Sequence, residues 1–136
     1  MKVEVSRRCS ASPEAVWEWV ADPHRHIQML PGLMRNARVL EDGDMQAELV
    51  TAGVSELMVV RVTATDPPRR LEEERVDGRR RASTVFELEP DGDGSRVTIR
   101  SEVDVPRLMA GLVKPAITRA LGEQLANLDR LSASTE

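Results

Sequence analysis

The sequence predicts an α+β domain in which a curved antiparallel β-sheet of six to seven strands wraps around one long C-terminal helix, with two short helices after the first strand. Three observations carry that prediction. Helix signals flank the middle of the chain, with a capped start at Ser12-Pro13 and a short helix after it on one side and a leucine-spaced run near the C-terminus on the other. Between them lie strand-like segments separated by short turn signals, and short turns make antiparallel neighbours. The 136 residues are enough for one core and too few for two comfortable ones, so the chain reads as a single domain over 1–136.

Residues 2–9 alternate, with Val3, Val5 and Cys9 on one parity, which is the pattern of an edge-like first strand. Ser12 is a good N-cap, and Pro13 suits the first helical position because its missing N–H would be unpaired there anyway. Val16, Trp17 and Val20 are expected to form the apolar face of this helix, and Asp22-Pro23 to stop it. A second short helix over 23–30 precedes the turn at Pro31-Gly32. Strands follow over 33–41, 45–52 and 54–65, separated by Glu41-Asp42-Gly43-Asp44 and by a turn near Gly53. Asp66-Pro67-Pro68 breaks the run, and strands over 70–76 and 82–89 flank the hairpin dipeptide Asp77-Gly78. Asp91-Gly92-Asp93-Gly94 leads into the last strand, 95–104. The final helix is expected over 106–132, its apolar stripe formed by Leu108, Leu112, Leu121, Leu125, Leu128 and Leu131, with Pro115 kinking or dividing it.

Composition narrows the function. With 19 basic and 23 acidic residues the formal charge is -4, so nothing in the balance calls for nucleic acid. The clusters Arg69-Arg70 and Arg79-Arg80-Arg81 lie beside acidic residues without interleaved aromatics, and read as solvated turns. Cys9 is the only cysteine, which excludes an intrachain disulfide and a cysteine-based zinc cluster and fits a reducing compartment. The N-terminus lacks the apolar core of a signal peptide, and no stretch approaches the roughly 18 apolar residues of a membrane-spanning helix, so a cytoplasmic location is expected. Tyrosine is absent and phenylalanine occurs once, so a pocket would be walled by aliphatic side chains and methionines, selecting ligands by shape. His24 and His26 are two apart and point in different directions on a helix, with no third ligand nearby; no metal and no cofactor are expected. The chain has no Gly-x-Ser-x-Gly elbow and no glycine-rich phosphate loop, which disfavours covalent catalysis and nucleotide binding.

A set of short motifs runs through nearly the whole chain: Ser-Ala-Ser-Pro-Glu-Ala-Val-Trp at 10–17, Ala-Asp-Pro at 21–23, Leu-Pro-Gly at 30–32, Thr-Asp-Pro-Pro-Arg-Arg-Leu at 65–71 and Gly-Ser-Arg-Val-Thr-Ile at 94–99. Together they resemble the SRPBCC superfamily, the helix-grip group that includes START lipid-transfer domains, birch-pollen-allergen-like proteins and the polyketide cyclase/dehydrase family. The Leu-Pro-Gly turn is also similar to that of the carbon monoxide dehydrogenase-associated branch of the same superfamily. The resemblance implies a helix-grip fold whose concave sheet face and C-terminal helix line a pocket. It also implies that Trp17 packs on the buried face of the first helix while Trp19 edges the pocket mouth.

Strand parity then names the lining. Glu56, Met58, Val60 and Val62 share one face, as do Thr84, Phe86 and Leu88, and Val97, Ile99, Ser101 and Val103; the helix presents Met109, Val113, Ile117 and Leu121. Three polar residues fall on the inward parity: Glu56, Glu73 and Arg75. A buried carboxylate needs a cation, a hydrogen-bond partner, a proton or a ligand, and Arg75 is the expected partner.

The first expectation is therefore the binding or transport of a small hydrophobic ligand, such as a lipid, isoprenoid, quinone or polyketide-like compound. A second is a polyketide cyclase or dehydratase in which Glu56 or Glu73 works as acid/base and Arg75 orients an enolate or carbonyl. A third is a protein-interaction or membrane-recruitment module, including a homodimer, that docks through an apolar lip at 24–34 carrying Ile27, Met29, Leu30, Leu33 and Met34.

Overall fold

A computed structural model describes residues 1–51, 53–78 and 80–134. Ala52, which ends the strand expected over 45–52, and Arg79 of the arginine cluster lie outside the described residues. Strand β1 (Lys2–Cys9) leads into α1 (Pro13–Ala21), α2 (Pro23–His26) and a 3-10 turn (Ile27–Met29). Then come β2 (Met34–Val39), β3 (Met45–Thr51), β4 (Val54–Asp66), β5 (Arg70–Arg75), β6 (Ala82–Asp91) and β7 (Gly94–Val103). A second 3-10 turn (Arg107–Met109) opens onto α3 (Ala110–Ser134). All seven strands form one antiparallel sheet in the order β1-β7-β6-β5-β4-β3-β2, with α3 packed against β1, α1 and the first 3-10 turn. This is the helix-grip arrangement.

The motifs have local physical reasons. The Ser12 side chain accepts the Ala15 N–H at 3.3 Å and caps α1; Asp22, which ends that helix, accepts the His24 N–H at 3.0 Å and caps the next. Gly94 lies so close to β1 that a Cβ there would run into the Cys9 carbonyl oxygen. The buried Ser95 hydroxyl donates to the Ala11 carbonyl at 2.9 Å, locking the β6–β7 hairpin to the start of α1. Gly32 N–H donates to Glu123 at 2.9 Å and Asn127 Nδ2 to the Met29 carbonyl at 3.2 Å, so the Leu-Pro-Gly turn ties the far edge of the sheet to mid-α3.

Residues opposite one another in an antiparallel pair share a face, so the register writes out the concave surface in rows. One row runs Val5, Ile99, Phe86, Leu71; the next runs Val3, Ser101, Thr84, Glu73, Val62. Beyond it lie Arg75 opposite Val60, Ala47 opposite Met58 and Leu49 opposite Glu56. The irregularity in β4 falls between Val62 and Ala64, past the expected lining positions, so their parity is intact. Phe86, Leu71, Leu88, Ile99, Leu125 and Leu128 are fully buried at the closed end, each contributing about 1.5–3 kcal/mol by burial.

Four expectations are corrected. Trp19, not Trp17, is the buried tryptophan of α1, because the helix turns Val16, Trp19 and Val20 toward the core and leaves Trp17 half-buried. Met29 is wholly buried and belongs to the core rather than to an exposed lip. Pro115 does not divide the last helix, which runs unbroken from Ala110 to Ser134. Its place near the helix start limits the damage, since only the first turns must do without the lost bond. Leu108 and Leu112 lie off the packed stripe and face solvent.

Candidate functional site

The concave face changes character at the row Ser101–Thr84–Glu73. On one side the core is filled; on the other Met58, Val60 and Val62 on the sheet and Val113 and Ile117 on α3 are only partly buried. Met109, at the helix entrance, is 46% exposed. The expected lining thus divides in two. Trp19, Phe86, Leu88 and Ile99 are covered by protein and pack as core, whereas Met58, Val60, Val62, Thr84, Val113 and Ile117 keep accessible surface.

At the boundary stands a carboxyl group without a hydrogen-bond partner. Glu73 Oε2 is inaccessible to solvent and accepts no hydrogen bond among the described residues. His26 Nε2 stands 3.7 Å from it. Burial raises the Glu73 pKa above the usual glutamate value, and His26 offsets part of that rise. His26 is itself buried: its Nδ1 lies 2.8 Å from the Val20 carbonyl, and its ring meets Phe86 edge-on at 5.4 Å between centroids. A carbonyl can only accept, so Nδ1 carries the hydrogen and Nε2 faces Glu73. Thr84 Oγ1 and Ser101 Oγ continue the polar row, 3.2 Å apart.

The second polar cluster is self-contained. Arg75, 4% exposed, donates from Nη2 to Glu56 at 2.9 Å and from Nε to Asp77 at 2.6 Å, with a further Nη2 contact to the Leu57 carbonyl at 3.2 Å. Of the two inward glutamates for which Arg75 is the expected partner, it pairs with Glu56; it points toward the β3–β4 end, and His26 is the neighbour of Glu73. Sequence reasoning weighs His26 only as a metal ligand, sets that role aside, and does not reach its partner, because Glu73 lies on a distant strand and no local spacing announces it. It does separate the two histidines, His24 being exposed and His26 buried. Among the described residues there is no group of three His, Cys, Asp or Glu side chains placed to hold a metal ion. Nor is any helix among them long and apolar enough to cross a membrane.

The lip at 24–34 is less apolar than expected, with Met29 buried and Ile27, Leu30, Leu33 and Met34 each half-buried. The exposed large apolar side chains lie elsewhere, at Leu108, Met109 and Leu112 around the start of α3, at Val54 and Leu57 on β4, and at Val76; Leu108 and Leu112 are the barest of them. Beside them a depression of about 600 Å³ runs along one flank of α3, lined by Ala110, Gly111, Lys114, Pro115, Thr118 and Arg119. Its lining shares no residue with the expected concave pocket.

A curled antiparallel sheet gripping a C-terminal helix, packed at one end and looser at the other, defines a helix-grip protein of the SRPBCC superfamily. Residues 1–133 match the family described as polyketide cyclase / dehydrase and lipid transport, and the chain belongs to it. Among solved structures it is similar to the protein TTHA0849 of Thermus thermophilus, with 18% identity and a TM-score of 0.86 over 100% of this chain and 99% of that one. It is also similar to CV1439 of Chromobacterium violaceum, with 21% identity and a TM-score of 0.75 over 96% of both chains. A norcoclaurine synthase point mutant of Thalictrum flavum, solved with a transition-state analogue, shares 16% identity and a TM-score of 0.78 over 99% of this chain and 95% of that one. At these identities the likeness establishes the fold. No curated protein sequence matches the chain.

Proposed function

We propose that the protein binds a small hydrophobic molecule, of the lipid, isoprenoid, quinone or polyketide-like class, between the open half of the sheet and the first turns of α3. The observation that carries this reading is the discontinuity of the concave face: inward Met58, Val60 and Val62 stay partly exposed, whereas Leu71, Phe86, Leu88, Val97 and Ile99 on the same face are buried. Apolar surface left uncovered at about 25 cal/mol per Å² is a standing driving force for an apolar guest. The family's description, which includes lipid transport, supports the same class.

In this reading the polar end of the ligand meets the row Ser101–Thr84–Glu73. A protonated Glu73, whose side chain is 12% exposed although Oε2 itself is covered, donates to a carbonyl or hydroxyl oxygen of the ligand. The same carboxyl favours a second reading, a cyclase or dehydratase in which Glu73 exchanges a proton with substrate while His26 holds or returns it. Glu73 suits that role better than Glu56, whose carboxylate is already engaged by Arg75.

Native mass spectrometry of protein purified from its own host, followed by organic extraction, tests the binding reading. A stoichiometric apolar molecule, lost in Val113→Trp and Ile117→Trp variants that fill the open half, is the expected result. An empty protein with no thermal shift across a panel of fatty acids, polyprenols, quinones and aromatic polyketides would refute it. Turnover unchanged in Glu73→Gln would eliminate the acid/base mechanism.

A further inference from the structure

Leu108 is 97% exposed and Leu112 is 81% exposed, with Met109 beside them at 46%. Single apolar residues on a surface are ordinary, but two nearly bare leucines four positions apart, next to an exposed methionine, form one projecting patch. The charge around it has one sign. From Val105 to Gly122 the chain carries Arg107, Lys114 and Arg119 and no Asp or Glu, although acidic residues outnumber basic ones overall, 23 to 19. None of these three cations makes an ion pair among the described residues, in contrast to Arg7, Arg61, Arg70, Arg75 and Arg100, which all do. Lys114 and Arg119 border the flank depression of about 600 Å³, whose floor is otherwise Ala110, Gly111 and Pro115 with Thr118. The Thr118 hydroxyl is turned back onto the Lys114 carbonyl at 2.8 Å, which further lowers the polarity of that floor.

We propose that the 3-10 turn and first turns of α3 dock the protein on an anionic lipid surface. Leu108, Met109 and Leu112 enter the apolar boundary, and Arg107, Lys114 and Arg119 meet headgroup phosphates. Projecting apolar side chains with unpaired cations alongside are the combination that an anionic interface rewards and that water does not. A second copy of this chain would present the same cations to each other across the contact, whereas phosphate groups neutralise them. The inner side of these turns carries Val113 and Ile117, so a membrane held here lies beside the mouth of the proposed ligand site. Docking itself does not depend on that site.

The test uses the full chain with unilamellar vesicles, one set of phosphatidylcholine alone and one of phosphatidylcholine with phosphatidylglycerol, read by co-sedimentation at increasing salt. Expected is binding to the phosphatidylglycerol vesicles at least about tenfold above phosphatidylcholine alone, falling as salt rises. Leu108→Asp/Leu112→Asp and Lys114→Glu/Arg119→Glu should each lower it about tenfold or more. These side chains are outside the packed core, so unchanged melting should accompany the loss. The proposal is overturned by equal binding of wild type and variants, by equal binding to both vesicles, or by no binding, including the case in which sedimentation shows instead a dimer that Leu108→Asp/Leu112→Asp dissolves. Ligand retention by the same variants in native mass spectrometry keeps a failure of docking distinct from a failure of the ligand site.

Discussion

At the scale of single residues, the most consequential group is the Glu73 carboxyl facing His26. Its raised pKa means that the folded state holds a proton more tightly than the unfolded chain does. The resulting stabilisation is full below the ordinary glutamate value and is lost as pH rises from there through the raised folded value. Glu73→Gln should remove that decline, so its melting temperature should gain on wild type across this window and then hold a constant lead, as pH-dependent thermal unfolding would show. Cys9 offers a second check: burial pushes its thiol up to about 11, with Asp129 adding to the rise, so an aromatic disulfide reagent should label it only at the rate of unfolding. Fast labelling of the native protein would contradict its place under α3. Phe86→Ala should be severe, about 3–5 kcal/mol by denaturant unfolding, because it opens a core cavity and strips the edge contact from His26.

At the scale of elements, α3 does two jobs along its length. Its second half packs through Leu125 and Leu128, while its first half carries the partly exposed Val113 and Ile117 and the bare Leu112, with Leu108 just before it. Pro115 lies inside the looser half, where the missing N–H weakens the helix. Pro115→Ala should therefore stabilise the protein by about 1–3 kcal/mol in urea unfolding. The β3–β4 pair has its own clamp, a two-point bridge from Arg61 Nε and Nη2 to Asp44 at 3.1 and 2.9 Å. Hydrogen bonding to Arg61 holds the Asp44 carboxyl below the usual aspartate range. Its stabilisation is present above the ordinary aspartate value and disappears as pH falls through the lowered one. Arg61→Ala should lower the melting temperature at neutral pH, with the difference shrinking in acid.

At the scale of the whole molecule, a guest in the open half would stabilise the fold by mass action, about 2.7 kcal/mol at a free concentration one hundred times its dissociation constant. A melting temperature that rises with ligand concentration in wild type but not in Ile117→Trp is the expected outcome. Most of the architecture is legible in the chain. The strand alternation, the turn dipeptides and the caps at Ser12 and Asp22 are local patterns, and strand parity identifies Glu56, Glu73 and Arg75 as inward residues because antiparallel pairing preserves alternation between bulges. What local pattern does not contain is which inward residue meets which. The partnership of Glu73 with His26, the burial of Trp19 rather than Trp17, and the stranding of Leu108 and Leu112 outside the stripe depend on how helices lie across the curled sheet, and the pairing of Arg75 with Glu56 and Asp77 on how neighbouring strands bring side chains together. That placement is a tertiary quantity. Periodicity along a chain fixes which face a side chain takes, but only the packing of one element on another decides whether that face is filled, paired or left open.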